Sequence, residues 1–469
     1  MIYTSRRTFI SSTAAASAMT AFPFIRSAQA QGAAPTEKVN LACIGIGCRG
    51  AEDIESLDKT GLCNIVALCD TDMGAKHTQK IMEKFPKAAR FQDFRKMFDK
   101  MANEIDAVSI ATPDHSHFVI AMHAMALGKH VYVEKPMAHT FQQVELLMAA
   151  EKKYKVACQM GNQGHSEGNY FQFKAWTEAG IIKNVRKIVA HMNGSRRWHK
   201  WNSEVPGFRA AQKIPETLDW NTWLAQVQHH DYHTDYVMGE WRSWYEFGNG
   251  ALGDWGAHIL DTSHEFLKLG LPTEVNPVKL DRWNAFVFPM ATTLQFKFPD
   301  RGPNLPACDL FWYDGTKNFP ELPKGYGKAV DSNAPSSGGN TSAGKDLPPG
   351  KEIYTDDLVF KGGSHAATLS IIPADKAKEM EAKLPKVMKS PSNHFENFLR
   401  ACKGQEVCRS RFEVAGPLCQ MMGLGILAQR LNAKLEFDHV TRKITNNEVA
   451  NTWLAGPAPR KDWEHYFKI

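Results

Sequence analysis

The chain has 469 residues, 43% of them hydrophobic and 23% charged, with a formal charge of +6. That length accommodates two domains with sizeable cores, and the composition is ordinary for a globular protein, which excludes disordered and fibrous classes. There is no dense Lys/Arg block, which excludes nucleic acid as the expected partner; Arg6, Arg7 and Arg26 account for part of the positive balance and sit at the extreme N-terminus.

Residues 1–30 read as a leader. Arg6 and Arg7 stand side by side ahead of an alanine-rich, mildly apolar run that ends in "AQA". This is the pattern of a twin-arginine signal peptide, with cleavage expected after Ala30. The run is interrupted by Pro23 and Arg26, and a membrane-spanning helix needs about 20 predominantly apolar residues. The expected partner here is the twin-arginine export machinery, which carries folded proteins, and the expected compartment is the periplasm. The nine cysteines are odd in number and contain no C-x-x-C, so they read as small buried hydrophobes rather than a disulfide framework.

Residues 36–160 read as a nucleotide-binding domain. "VNLACIGI" is apolar and β-prone, as a strand buried in a parallel sheet should be. It runs into Gly45-Ile46-Gly47-Cys48-Arg49-Gly50, a G-x-G-x-x-G followed by a helical pattern. The three glycines suit a tight turn, close approach of a pyrophosphate, and close helix–strand packing. The helix N-terminus, from Cys48 and Arg49 onward, is expected to receive the phosphates. A second strand, "CNIVALC", ends in Asp70, where a carboxylate accepts hydrogen bonds from a ribose and repels a 2′-phosphate. NAD is therefore expected over NADP, while Asp72 is assigned to capping the turn.

Strands and helices then alternate: "AKHTQKIMEKF", "ARFQDFRKMFDK", "IDAVSIATPDHSHFVIAMHAMALG", "KHVYVEKP", "TFQQVELLMAAEKKY" and "VACQMGNQGHS". The pattern predicts a Rossmann doubly wound parallel sheet, whose ligand site lies at the carboxyl ends of the strands. Those ends carry Thr112, Asp114 and His117 in "ATPDHSH", Glu134 and Lys135 in "VEKP", and Asn162 and His165 in "GNQGH". Thr112, Asp114 and His117 are expected along the middle of the cofactor, Asn162 against its nicotinamide amide, and His165 toward the substrate.

Residues 161–469 read as a second domain. "VRKIVAHM", "VNPVKLDRWNAF", "ATTLQFKFPD", "LPACDLFWYDG" and "KLEFDHVTRKIT" read as strands, and "SNHFENFLRACKG" and "EVAGPLCQMMGLGILAQRLN" as helices. A Gly/Ser/Pro-rich stretch around 331–352 reads as a mobile loop. "HHDYH" has no matching metal-ligand pattern beside it, and no metal is expected. Asp254 and His258 in "GNGALGDWGAHILD" are four residues apart and share one helix face. A carboxylate there orients an imidazole and raises its basicity. Arg242 and Tyr245, in an aromatic stretch just before it, are further candidates for contact with a sugar ring.

The set "GIGCRG", "ALCD", "ATPDHSH", "VEKPMA", "GNQGH" and "GNGALGDWGAHILD" resembles the Gfo/Idh/MocA family (glucose–fructose oxidoreductase, inositol dehydrogenase, rhizopine catabolism) across nearly the whole chain after the leader. The resemblance implies a C-terminal α/β domain built on a large, mostly antiparallel open sheet, and a homodimer or homotetramer. It implies an NAD(P)-dependent oxidoreductase acting on a secondary hydroxyl of a sugar, glycoside or cyclitol. It places Lys135 against substrate and nicotinamide, Glu134 against the cofactor ribose, and Asp254 and His258 at the substrate, and it leaves open whether Lys135 or His258 is the base. Two alternatives stand beside it: a redox-neutral glycosidase or lyase using transient ring oxidation, and a non-catalytic carbohydrate-binding protein. An exported enzyme of this kind would carry its cofactor with it, tightly bound.

Overall fold

A computed structural model describes residues 38–192, 205–327 and 347–469. The leader expected over residues 1–30, and most of the loop expected around 331–352, lie outside the described residues. The central strands of the N-terminal half are short, apolar and largely buried on both faces, as a parallel sheet covered by helices requires, while the strand at one edge is half-exposed. They are β1 (Val39–Ile44), β2 (Cys63–Cys69), β3 (Ala89–Phe91), β4 (Ala107–Ile110), β5 (His130–Val133) and β6 (Cys158–Met160). All pair in parallel, in the order β3-β2-β1-β4-β5-β6. Strand order reverses between β1 and β4, and a crevice opens at such a point beyond the strand ends.

The second sheet has nine strands: β7 (Lys187–Met192), β8 (Glu274–Asp281), β9 (Ala291–Phe298), β10 (Cys308–Gly315), β11 (Gly350–Tyr354), β12 (Val359–Gly363), β13 (Ser370–Ile372), β14 (Leu435–Asp438) and β15 (Lys443–Ile444). Their order is β13-β12-β11-β7-β10-β9-β8-β14-β15. Only β7 and β10 run parallel, so the sheet is mostly antiparallel, as expected. The loop reading ran too far at its C-terminal end: Gly350, Lys351 and Glu352 are buried in β11, where pairing with β7 and β12 satisfies their backbone.

One helix, Phe412–Leu431, joins the two sheets. It is apolar nearly all round, and both its faces are buried. Leu424, Met421 and Met422 belong to one core with Met160 of the first sheet, Phe141 and Leu147 of the helix Phe141–Tyr154 that covers it, Phe296 of the second sheet and Leu252 of the turn packed on it. That core sets the helical segment 250–266 against the strand ends of the first sheet. Of the nine cysteines, all unpaired, Cys48 is exposed, Cys402 is half-buried and the rest are buried. Among the described residues no helix is long and apolar enough to cross a membrane.

Candidate active site

A cleft follows the carboxyl ends of β1, β2, β4 and β5. Gly45, Gly47, Cys48, Arg49, Asp70, Thr112, Asp114, His117, Glu134 and Lys135, all candidates from the sequence, line it. Gly45 adopts φ +80°, and a Cβ there would stand 2.6 Å from the Ala111 carbonyl oxygen, so both conformation and space demand glycine. Gly50 lies behind the cleft, where a Cβ would run into the Gly45 carbonyl; this is the close helix–strand contact. Cys48 opens the helix Arg49–Lys59 without any side-chain cap, so no cap competes for the helix N-terminus beside the cleft-lining Cys48 and Arg49. A glycine turn leading to an uncapped helix N-terminus fits a pyrophosphate.

Asp70 stands at the end of β2. Its Oδ2 accepts from Ile46 N and its Oδ1 from Asp72 N, each at 3.0 Å. Asp70 therefore caps the turn assigned to Asp72 and still presents lone pairs to the cleft. Burial pushes its pKa up, and the two backbone N–H groups work against that. His77, also on the cleft wall, packs against Gly47.

At the other end, Lys135 Nζ donates to Asp254 Oδ1 at 2.5 Å, with both side chains nearly buried. Arg242 approaches the second oxygen of Asp254 at 3.8 Å, and its guanidinium lies 4.1 Å over the Trp241 ring. Asp114 accepts from Asn249 N at 2.9 Å. Burial pushes Asp114 up to about 7; Arg242 opposes the rise and Asp254 adds to it. Asp254 sits in the wide turn Leu252–Gly256, wound with π-helical hydrogen bonding, and His258 follows in the next turn. His258 is buried and its Nδ1 has no hydrogen-bond partner. Burial drives its pKa well down, and the neighbouring charges of His365 and Lys135 push the same way against Asp254. Asp254 is thus engaged by Lys135, where the sequence reading paired it with His258.

Glu134 accepts from Gln163 Nε2 at 2.8 Å and from Arg49 Nε at 3.4 Å, while Arg49 also pairs with Glu52 and Asp53. His117 is held by the carbonyl oxygens of Pro136 (2.8 Å) and Thr112 (2.7 Å), so its ring ties the β4 and β5 loops together. Three expected contacts turn inward instead. Asn162 donates to Asp261 and accepts from Ser410 Oγ. His165 is fully buried against Asp261 at 2.9 Å and Glu265 at 3.1 Å. Burial works against its charge, but those carboxylates hold its pKa up to about 10. Tyr245 packs on Phe288 beneath Arg430. None of the three lines the cleft, because buried polar groups take the partners at hand; Asp254 and His258 are also buried behind its wall, where Asp254 reaches the lining residue Lys135.

The sequence reading missed the cover of this cleft. Residues 205–247 cross it and contribute Leu218, Thr222, Trp223, Tyr232, Met238 and Trp241 to its wall, besides Arg242. The crossing is docked on the first sheet: Asp219 N donates to Thr71 O at 2.8 Å, and Gln92 Nε2 donates to Thr217 O at 2.7 Å. The density of tryptophan and tyrosine between 220 and 244 was the available signal.

Family models match two parts of the chain. One described as "Oxidoreductase family, NAD-binding Rossmann fold" covers residues 39–162, and one described as "Oxidoreductase family, C-terminal alpha/beta domain" covers residues 172–282. The chain is 36% identical over 132 residues to glycosyl hydrolase family 109 protein 1 of Bacteroides thetaiotaomicron, a match to 27% of this chain and 28% of that protein. It is 27% identical over 178 residues to inositol 2-dehydrogenase of Salmonella typhimurium, covering 37% of this chain and 50% of that protein. The match thus spans half or less of these relatives' length. Among solved structures, levoglucosan dehydrogenase in complex with NADH and L-sorbose superposes with a TM-score of 0.55 at 16% identity, covering 86% of this chain and 99% of that one. Aldose–aldose oxidoreductase from Caulobacter crescentus superposes with a TM-score of 0.53 at 14% identity, covering 85% and 100%. At such identities the likeness is one of fold.

Proposed function

Because the chain belongs to the Gfo/Idh/MocA oxidoreductase family, we propose that it oxidises a secondary hydroxyl of a sugar, glycoside or cyclitol, using NAD held tightly in the cleft. The observation that carries this is the Lys135–Asp254 pair, 2.5 Å apart, with Lys135 on the cleft wall, Asp254 buried directly behind it and the neutral imidazole of His258 in the next turn. Bound nicotinamide supplies the hydride acceptor. The protein supplies the rest. Oxidising the carbinol removes the C–H electron pair as hydride and the hydroxyl proton separately, leaving a C=O bond. His258, kept neutral, accepts that proton. The Lys135 ammonium, steadied by Asp254, faces the oxygen and stabilises the charge that develops on it. Arg242 and Trp241 form the wall against which a sugar ring would lie.

Asp70 and Asp72, side by side at the adenosine end, support NAD over NADP, since a 2′-phosphate would meet two carboxylates. The crossing segment 205–247 supports tight retention. With the leader at residues 1–30, these features fit an enzyme exported folded to the periplasm with its cofactor inside.

A second reading is favoured by one observation, the 36% identity to a family 109 glycosyl hydrolase over 132 residues. On that reading the same oxidation is transient: the ketone acidifies the neighbouring C–H, which loses its proton as the aglycone is eliminated, water adds across the resulting C=C bond, and the hydride returns to the ketone. The two share the first step and differ in product. Mass spectrometry of the nucleotide released on denaturation, followed by a panel of sugars and glycosides, tests both. An accumulating keto-sugar with reduced nucleotide supports the dehydrogenase; a hydrolysed glycoside with nucleotide unchanged supports the glycosidase. Absence of any released nicotinamide nucleotide overturns both.

A further inference from the structure

His365 has no part in the site as built so far. It follows β12, in a loop that returns toward the first sheet. Its backbone adopts φ +51°, a conformation uncommon outside glycine though less so for histidine and asparagine. The loop is clamped. Ser364, buried beside it, has Oγ 3.0 Å from His365 Nδ1. Gly164 presses on the other side: a Cβ there would stand 2.6 Å from the His365 carbonyl oxygen. Trp255 meets the imidazole edge-on, with ring centroids 5.4 Å apart. Held this way, the His365 ring lies flat on His258, centroids 3.9 Å apart and planes 19° from parallel.

A buried imidazole with an unpartnered Nδ1 has no hydrogen bond at that atom to fix its plane, so the stack does so. Two imidazolium charges at stacking distance repel strongly where water is excluded. The charged and titratable groups acting on His258 are Lys135 at the end of β5, Asp254 in the preceding turn, Arg49 at the start of the first helix, and His365 from the β12 loop. Of these, His365 is the one in ring-to-ring contact. We propose that His365 is a positioning residue for His258: it fixes the plane of that imidazole and, because the stacked pair does not hold two charges, a charge carried by His365 leaves His258 in the neutral form that accepts a proton. This rests on the role given to His258 above. Asp254 and Lys135 set the local field, and His365 sets the ring.

The test combines a titration with a rate. The intact, nucleotide-loaded protein is labelled at histidine Cε1 and titrated by NMR, with His258 assigned from the His258→Ala spectrum. In the wild type, His258 remains neutral below the ordinary histidine range. In His365→Asn, which tolerates the left-handed backbone, its midpoint rises by about one pH unit or more. The acid limb of single-turnover substrate oxidation moves up with it, while the bound nucleotide content is unchanged. An unchanged midpoint in His365→Asn overturns the proposal. So does a wild-type His258 that titrates at or above the ordinary value, a result that does not depend on the variant folding. A raised midpoint that the rate profile does not follow also overturns it, and His258→Ala then locates the fault: a normal rate in that variant removes the role given to His258 itself.

Discussion

Lys135, Asp254 and His258 come from two distant stretches of chain, yet their atoms make one constellation. Replacing Lys135 or His258 with alanine should slow single-turnover oxidation by about 10²–10⁴-fold, the usual contribution of an acid–base group, while the nucleotide stays bound. Asp254→Asn should follow Lys135→Ala more closely than His258→Ala, with a loss of about 10²-fold, because the carboxylate steadies the ammonium rather than the imidazole. Rapid-mixing measurements on the three variants check this ordering. Asp114 gives a pH prediction. Burial raises its pKa from the ordinary 3.8 to about 7, so the folded chain holds a proton there that the unfolded chain has released. The stability this contributes is full below about pH 4 and is lost as the pH rises through about 7. Asp114→Asn keeps an acceptor for Asn249 N and removes the titration. Thermal unfolding across a pH series should find it more stable than the wild type at about pH 8, on the order of 2 kcal/mol, with the difference closing toward about pH 4.

At the scale of elements, the first sheet was legible because parallel strands read as short apolar runs and because glycines mark the turn that follows β1. Gly45, Gly47 and Gly50 each occupy a place where a Cβ meets backbone or a packed ring, so their spacing carries geometry directly. Several other features were not legible. β11, β12 and β13 follow a low-complexity stretch and are short, and nothing local separates them from loop. Asn162 and His165 belong to a motif at the right strand end and Tyr245 to the aromatic stretch before Asp254, but a motif does not say which way a side chain turns, and Asp261, Glu265 and Phe288 claim them from the far side. The crossing segment 205–247 makes a prediction of its own. Thr217 rests directly on Gly74, where a Cβ has no room. Gly74→Ala should wedge the segment off the first sheet and raise the nucleotide dissociation rate about tenfold, with the chemical step unaffected. Exchange of bound nucleotide against a labelled pool reads this.

For the whole molecule, the proposed export leader at residues 1–30 stands beside a cleft at the strand ends of the first sheet and a segment, 205–247, docked across it. Arg6 and Arg7 lie outside the described residues; as they belong to the proposed export signal alone, replacing both with lysine should leave folded protein in the cytoplasm, read by cell fractionation. A protein exported folded with its cofactor needs that cofactor to stay, and so retention, not merely affinity, is the property the crossing segment should confer. The central claim is that hydride leaves a secondary carbinol of a sugar or cyclitol for the bound nicotinamide. The most direct measurement uses a substrate deuterated at that carbon, mixed in a single turnover with protein carrying its own nucleotide, followed by mass spectrometry of the nucleotide released on denaturation. Hydride transfer from that carbon yields reduced nicotinamide carrying the deuterium, at a yield cut sharply in His258→Ala. Oxidised or hydrolysed product formed while the bound nucleotide never gains the label, even transiently, would contradict it.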